Sequence, residues 1–112
     1  MKTVLRYMIA LSAACVLSAA FSMGADAPDG AALFKSKCSM CHGPDGKGYA
    51  AVKTPDFTSP TWQSSMTDKQ IAEVVKNGKP NTMMMPFGSQ LSDADIQALV
   101  KQIRSFDSSK KK

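Results

Sequence analysis

Apolar residues recur at helical spacing in three stretches of the chain, and no stretch alternates as a strand would. Residues 93–106 carry the longest repeat, with Ile96, Leu99, Val100 and Ile103 at steps of three and four. Ser92 stands ahead of it as N-cap, Asp95 lies three further on as a capping box requires, and Arg104 near the end suits the helix dipole. Residues 68–77 repeat the pattern with Ile71, Val74 and Val75, a Thr67/Gln70 capping box in front, and Gly78 to end the helix. A third helix is predicted over 30–41, with Asp29 as its cap and Leu33 and Phe34 opening its apolar face. The expected fold class is therefore all-α.

Two long irregular stretches separate these helices. Residues 43–66 begin with Gly43, Pro44, Gly46 and Gly48 and continue through Pro55 and Pro60; residues 79–91 hold Pro80, Pro86 and Gly88. Loops of this length are rare in a compact domain unless they serve a function. A small chain cannot spare so many residues to loops that bury nothing, so they read as walls around something large and apolar.

The N-terminal stretch has a different character. Lys2 and Arg6 precede an apolar run over 7–21, broken only by Ser12 and Ser18, and small residues Ser22, Gly24 and Ala25 follow. This is the layout of a secretory signal peptide, expected over 1–24. An uncleaved N-terminal anchor is the alternative, and only then would the protein sit on a membrane. A lipid on Cys15 fits less well, because Ser12 stands where lipoproteins usually carry leucine. Export implies a bacterial periplasmic location. Cleavage leaves 88 residues and lowers the formal charge from +5 to +3. One domain is expected over 25–109, followed by a basic tail, Lys110, Lys111 and Lys112, that reads as a solvated end. No basic stripe interleaved with aromatics is present, which argues against nucleic acid as a partner.

A domain of this size buries only roughly 60–65% of its unfolded surface, so it commonly recruits a staple. Cys38 and Cys41, the cysteines left after cleavage, are too close to join distant segments. They are followed at once by the chain's single histidine, giving Cys38-Ser39-Met40-Cys41-His42, the attachment pattern of covalent haem c. Residues at i, i+3 and i+4 share a helix face, so two thiols can each form a thioether with a haem vinyl group while the imidazole lies under the iron. A thioredoxin-like pair would need a strand–helix setting, and a structural zinc site would need four ligands where one cysteine pair and one histidine exist. A disulfide within the motif would stabilise little.

The chain resembles the class I single-haem cytochromes c over about residues 30–106. The resemblance rests on Cys38 to Gly48, on Met85-Pro86 with Leu91-Ser92, and on Ala98-Leu99-Val100 with Ile103-Arg104-Ser105. It implies the cytochrome c fold, three main helices and long loops wrapped around one haem, with the first and last helices crossing where Gly30 permits close approach and Phe34 packs. Many relatives carry an aromatic where this chain has Gln102, and Phe106 stands one turn later. The resemblance further implies His42 and a methionine as axial ligands. Met83, Met84 and Met85 are the candidates, and Met85, directly before Pro86, matches the family's position. Thioether sulfur suits haem iron and raises its potential relative to two nitrogen ligands. By the same resemblance the Pro55 carbonyl accepts from the axial imidazole, Phe57 lines the pocket, and Trp62 stands near a propionate or serves simply as core.

With both axial positions filled, no site is open to a substrate. The expected function is single-electron transfer by a non-catalytic monomer, in transient contact with a redox donor and acceptor. Lys37, Lys47, Lys53 and Lys79 either steer it towards an acidic partner or form a solvated face. Two alternatives stay open: a subunit through which electrons enter a larger oxidoreductase, and a five-coordinate haem sensor or peroxidase if no methionine binds.

Overall fold

The computed structural model describes residues 27–111, so the expected signal peptide lies outside the described residues. Five α-helices lie among the described residues: α1 (Gly30–Lys37), α2 (Ser39–His42), α3 (Pro60–Ser65), α4 (Asp68–Asn77) and α5 (Asp93–Ser105). Short 3₁₀ turns occupy Ala50–Val52 and Ser108–Lys110, and no strand occurs among the described residues. No helix among them is long and apolar enough to cross a membrane.

The caps form as the sequence requires. Thr67 and Gln70 close a reciprocal capping box on α4, and Ser92 and Asp95 do the same on α5. The Asp29 carboxylate accepts from the Ala32 amide at 3.1 Å and starts α1. The first helix departs from expectation, because it breaks at Cys38 (φ −119°) and resumes as α2. The amides of Cys41 and His42 both donate to the Cys38 carbonyl, at 3.1 and 2.9 Å, so the motif occupies one tight turn of its own.

Helix α3 was not expected. Its six residues have no apolar repeat to announce it, and its start depends on Ser59 as N-cap with Pro60 at the first helical position. That Ser-Pro pair is a readable helix-start signal.

The core gathers on α5, where Leu99 is fully buried and Ile96, Val100 and Ile103 nearly so. Phe34 of α1, Phe57 of the first loop, Ile71 and Val75 of α4, Leu91 and Phe106 complete it. Helix α1 crosses α5 at Gly30, where an added Cβ would overlap the Ala98 carbonyl oxygen and stand 2.8 Å from its carbon. Gln102 stays beside Gly30 at the crossing, and Phe106 adds an aromatic one turn later: its ring centroid lies 5.0 Å from that of Phe34, and it also lies close against Gly46. Beyond α5, the Ser108 amide donates to Thr58 at 3.1 Å, so the chain stays attached up to the last turn. Gly30→Ala is expected to cost about 1–3 kcal/mol by forcing the crossing apart. Thermal denaturation should show the Tm falling by several degrees with the absorption spectrum unchanged.

Candidate haem site

Helices α1 and α2 set the first half of the site. Cys38 is half-buried, Cys41 is exposed, and neither is in a disulfide. Burial pushes the Cys38 thiol up to about 11, only partly offset by Lys37, so it stays protonated near neutral pH. That is the opposite of the low-pKa thiolate a redox-active pair would need.

The loop after α2 folds back onto the motif's carbonyls. The Gly48 amide donates to His42 O at 2.8 Å, and the Thr54 hydroxyl donates to Cys41 O at 2.9 Å. The Phe57 amide donates to Gly46 O at 2.8 Å. These bonds bring Phe57 beneath the His42 imidazole, with ring centroids 4.8 Å apart and planes 17° from parallel. Trp62 of α3 also packs against Phe57, with centroids 4.6 Å apart, at the edge of the core. The expected bond between Pro55 and His42 is not made. The imidazole lies flat on Phe57, the Pro55 carbonyl flanks Gly48, and His42 Nδ1 is buried without a hydrogen-bond partner.

The methionines come from a separate segment at the C-terminal end of α4. The Lys79 amide donates to Met84 O at 3.0 Å, and the Met84 amide donates to the Thr82 hydroxyl at 3.1 Å, closing a turn over 79–84. After Pro86, the amides of Phe87 and Gly88 donate to Val75 O and Lys76 O, each at 3.0 Å. Gly78 (φ +72°) lets this strap lie against the helix end, since a Cβ there would stand 2.7 Å from Met84 O and 2.9 Å from Pro86 N. Met85 is thus carried on backbone pinned on both sides. Its side chain is exposed, as is that of Met83, while Met84 is half-buried.

The family described as "Cytochrome C oxidase, cbb3-type, subunit III" matches residues 25–103. The chain belongs to this cytochrome c family. It is 33% identical over 101 residues to the cbb3-type cytochrome c oxidase subunit CcoP of Rubrivivax gelatinosus, covering 88% of this chain and 30% of the relative. It is 36% identical over 85 residues to the dihydro-heme d1 dehydrogenase of Pseudomonas aeruginosa, covering 76% of this chain and 16% of that protein. Among solved structures, the KustC0563 c-type cytochrome superposes with a TM-score of 0.66 at 34% identity, covering 70% of this chain and 98% of the other. The cytochrome therefore spans less than a third of the length of these curated relatives, whereas it matches nearly all of the small solved one.

The cytochrome's cofactor is a covalently attached haem c, as in its family, and the domain carries electrons rather than catalysing a reaction itself. The residues present fit that group. Because Nδ1 is the sealed nitrogen of His42, Nε2 is the one left to a metal, and burial pushes the imidazole's pKa down, which favours the neutral, ligating form. The two thiols flank it within the same turn, and the His42–Phe57–Trp62 stack gives it an apolar floor.

Two residues missed in the sequence hold this floor in place. The Gln63 side-chain amide, 6% exposed, donates to Phe57 O at 2.7 Å and to Ile103 O at 2.9 Å. Arg104 in turn donates to both oxygens of Gln63, to Met66 O and to the Asp68 carboxylate, at 2.6–2.9 Å. The sequence shows Arg104 as a dipole complement and as part of the resemblance in the last helix, but not as a partner of Gln63. Nothing in its pattern singles out Gln63.

Proposed function

We propose that this cytochrome is an exported, periplasmic single-electron carrier. In this reading Cys38 and Cys41 hold the haem by thioethers, and His42 and Met85 are its axial ligands. What supports it is the Cys38–His42 motif with the His42 Nδ1 buried and, in the other half of the chain, a methionine on backbone pinned on both sides. The haem supplies the one-electron couple. The protein's part is to keep both ligands in place through the change of charge, so that little reorganisation accompanies transfer. Phe57, Trp62 and Phe34 exclude water from the histidine side. Partner contact is then small and transient, as befits a monomeric carrier.

The cleaved N-terminal segment 1–24 belongs to the same proposal, with 25–109 as the folded domain and 110–112 as its basic end. A second reading is favoured by the match to about 30% of a cbb3-type oxidase subunit: the cytochrome delivers electrons as part of a larger oxidoreductase. Both readings predict a reversible one-electron titration of the purified protein with no peroxidase turnover. Stable co-purification of an oxidoreductase subunit selects the second. Turnover with peroxide contradicts both.

A further inference from the structure

The strap that carries Met85 is closed on its near side by one side chain. The strap leaves α4 through Gly78 (φ +72°) and turns at Lys79-Pro80-Asn81-Thr82, where the Thr82 amide donates to Lys79 O at 3.3 Å. Pro80 and Asn81 stand at the centre of that turn. Asn81 takes the left-handed region (φ +60°), which asparagine tolerates better than most residues. The Thr82 hydroxyl then makes two bonds: it donates to Lys79 O at 2.8 Å and accepts from the Met84 amide at 3.1 Å. The Lys79 amide donates to Met84 O at 3.0 Å. Lys79 and Met84 are therefore joined twice, once directly and once through the hydroxyl. Beyond Pro86, the amides of Phe87 and Gly88 hold the far side of the strap to the last turn of α4. The two attachments differ in kind. The far one is made by backbone groups alone, whereas half of the near one depends on a single hydroxyl, so a change at residue 82 alters one side and spares the other.

We infer that Thr82 is a positioning residue for the axial methionine: its hydroxyl latches the strap closed and so sets how often the Met85 sulfur leaves the iron. The reason is entropic. A strap whose backbone is already fixed loses little freedom when the sulfur binds, whereas an open strap must be ordered again at each return. The latch therefore favours the bound state through the backbone that carries the ligand. It also bears on what the protein does. An iron that keeps its sulfur passes electrons, and an iron that loses it is open to small ligands.

The latch rests on Met85 being the sixth ligand. The test compares the oxidised, haem-loaded wild-type protein with Thr82→Val, Thr82→Ser and Gly30→Ala. Valine keeps the branched shape of threonine and removes the hydroxyl, while serine keeps the hydroxyl. Each protein is mixed with rising concentrations of imidazole, and displacement of the sulfur is followed by loss of the sulfur-to-iron charge-transfer band. At high imidazole the rate reaches a plateau set by the methionine's own departure. The Tm and the hydrogen exchange of the Met84 amide are read on the same samples. A wild-type protein with no such band refutes the ligand reading, and the latch with it. With the band present, Thr82→Val is expected to raise the plateau on the order of tenfold, the factor that losing two such bonds implies, and to speed exchange of the Met84 amide. Loss of the band in Thr82→Val with the haem still attached is the extreme of the same effect. Thr82→Ser should stay near the wild-type plateau. Gly30→Ala should lower the Tm and leave the plateau unchanged. Thr82→Ala removes the same hydroxyl at smaller volume and should behave as Thr82→Val does; it decides the matter where the valine variant yields no folded protein. A wild-type plateau in the variant without the hydroxyl overturns the inference. So does a plateau that rises equally in Gly30→Ala, since it then follows global stability, or one as fast in Thr82→Ser as in Thr82→Val.

Discussion

Met85→Ala is expected to abolish the sulfur-to-iron charge-transfer band of the oxidised cytochrome while leaving the haem covalently attached. The midpoint potential should fall, because a soft thioether stabilises ferrous iron and water or an open position does not. The drop takes a share of the roughly 0.8 V that axial ligation spans among haem proteins. The reduced variant should bind carbon monoxide, which the parent should not. Absorption spectra of the two proteins, with and without the gas, check all of this. The expectation rests on the strap at the end of α4. Bonds from Lys79 to Met84 and from Phe87 to Val75 bracket Met85, and the close approach of Gly78 leaves that backbone no slack. Met83, inside the closed turn, and Met84, whose carbonyl is already engaged, are held differently. If Met84→Ala removes the band and Met85→Ala does not, the ligand assignment is wrong.

Replacing both Cys38 and Cys41 by alanine should have the larger effect on the fold. Without thioethers the haem is held by axial bonds alone, and the floor formed by His42, Phe57 and Trp62 has no lasting partner. A domain of about 88 residues has little core to spare. The loss should consume most of the ~5–15 kcal/mol that keeps a domain folded. Far-ultraviolet circular dichroism of the purified variant should show most of the helical signal gone at room temperature. A double variant with native helicity would show that the side-chain core suffices by itself.

These expectations draw unequally on sequence and structure. Helices α4 and α5 were legible because both carry strong apolar repeats and reciprocal caps, which are local signals. The Gly30 crossing and a partial compensation by Phe106 for the missing aromatic at 102 could be anticipated from resemblance, and the close approach at Gly30 and the Phe34–Phe106 contact agree with both. The break at Cys38 was not legible, since no Gly or Pro stands there to announce it. Helix α3 lacks periodicity and is held by its cap and by Gln63. The Gln63–Arg104 network joins residues some forty positions apart, and no local pattern encodes such a pairing. The Pro55 bond failed for a related reason: a motif places a carbonyl near a histidine, but the ring's orientation depends on what packs against it, here Phe57.

The central claim is a haem with both axial positions occupied, by His42 and a methionine. The absorption spectrum of the oxidised, mature wild-type protein, repeated on the reduced protein under carbon monoxide, tests it most directly. A low-spin spectrum with the weak near-infrared sulfur-to-iron band, unchanged by carbon monoxide after reduction, is the predicted result. A high-spin spectrum without that band, shifting when carbon monoxide is added, would contradict it and make the protein a ligand-binding haem protein instead of an electron carrier.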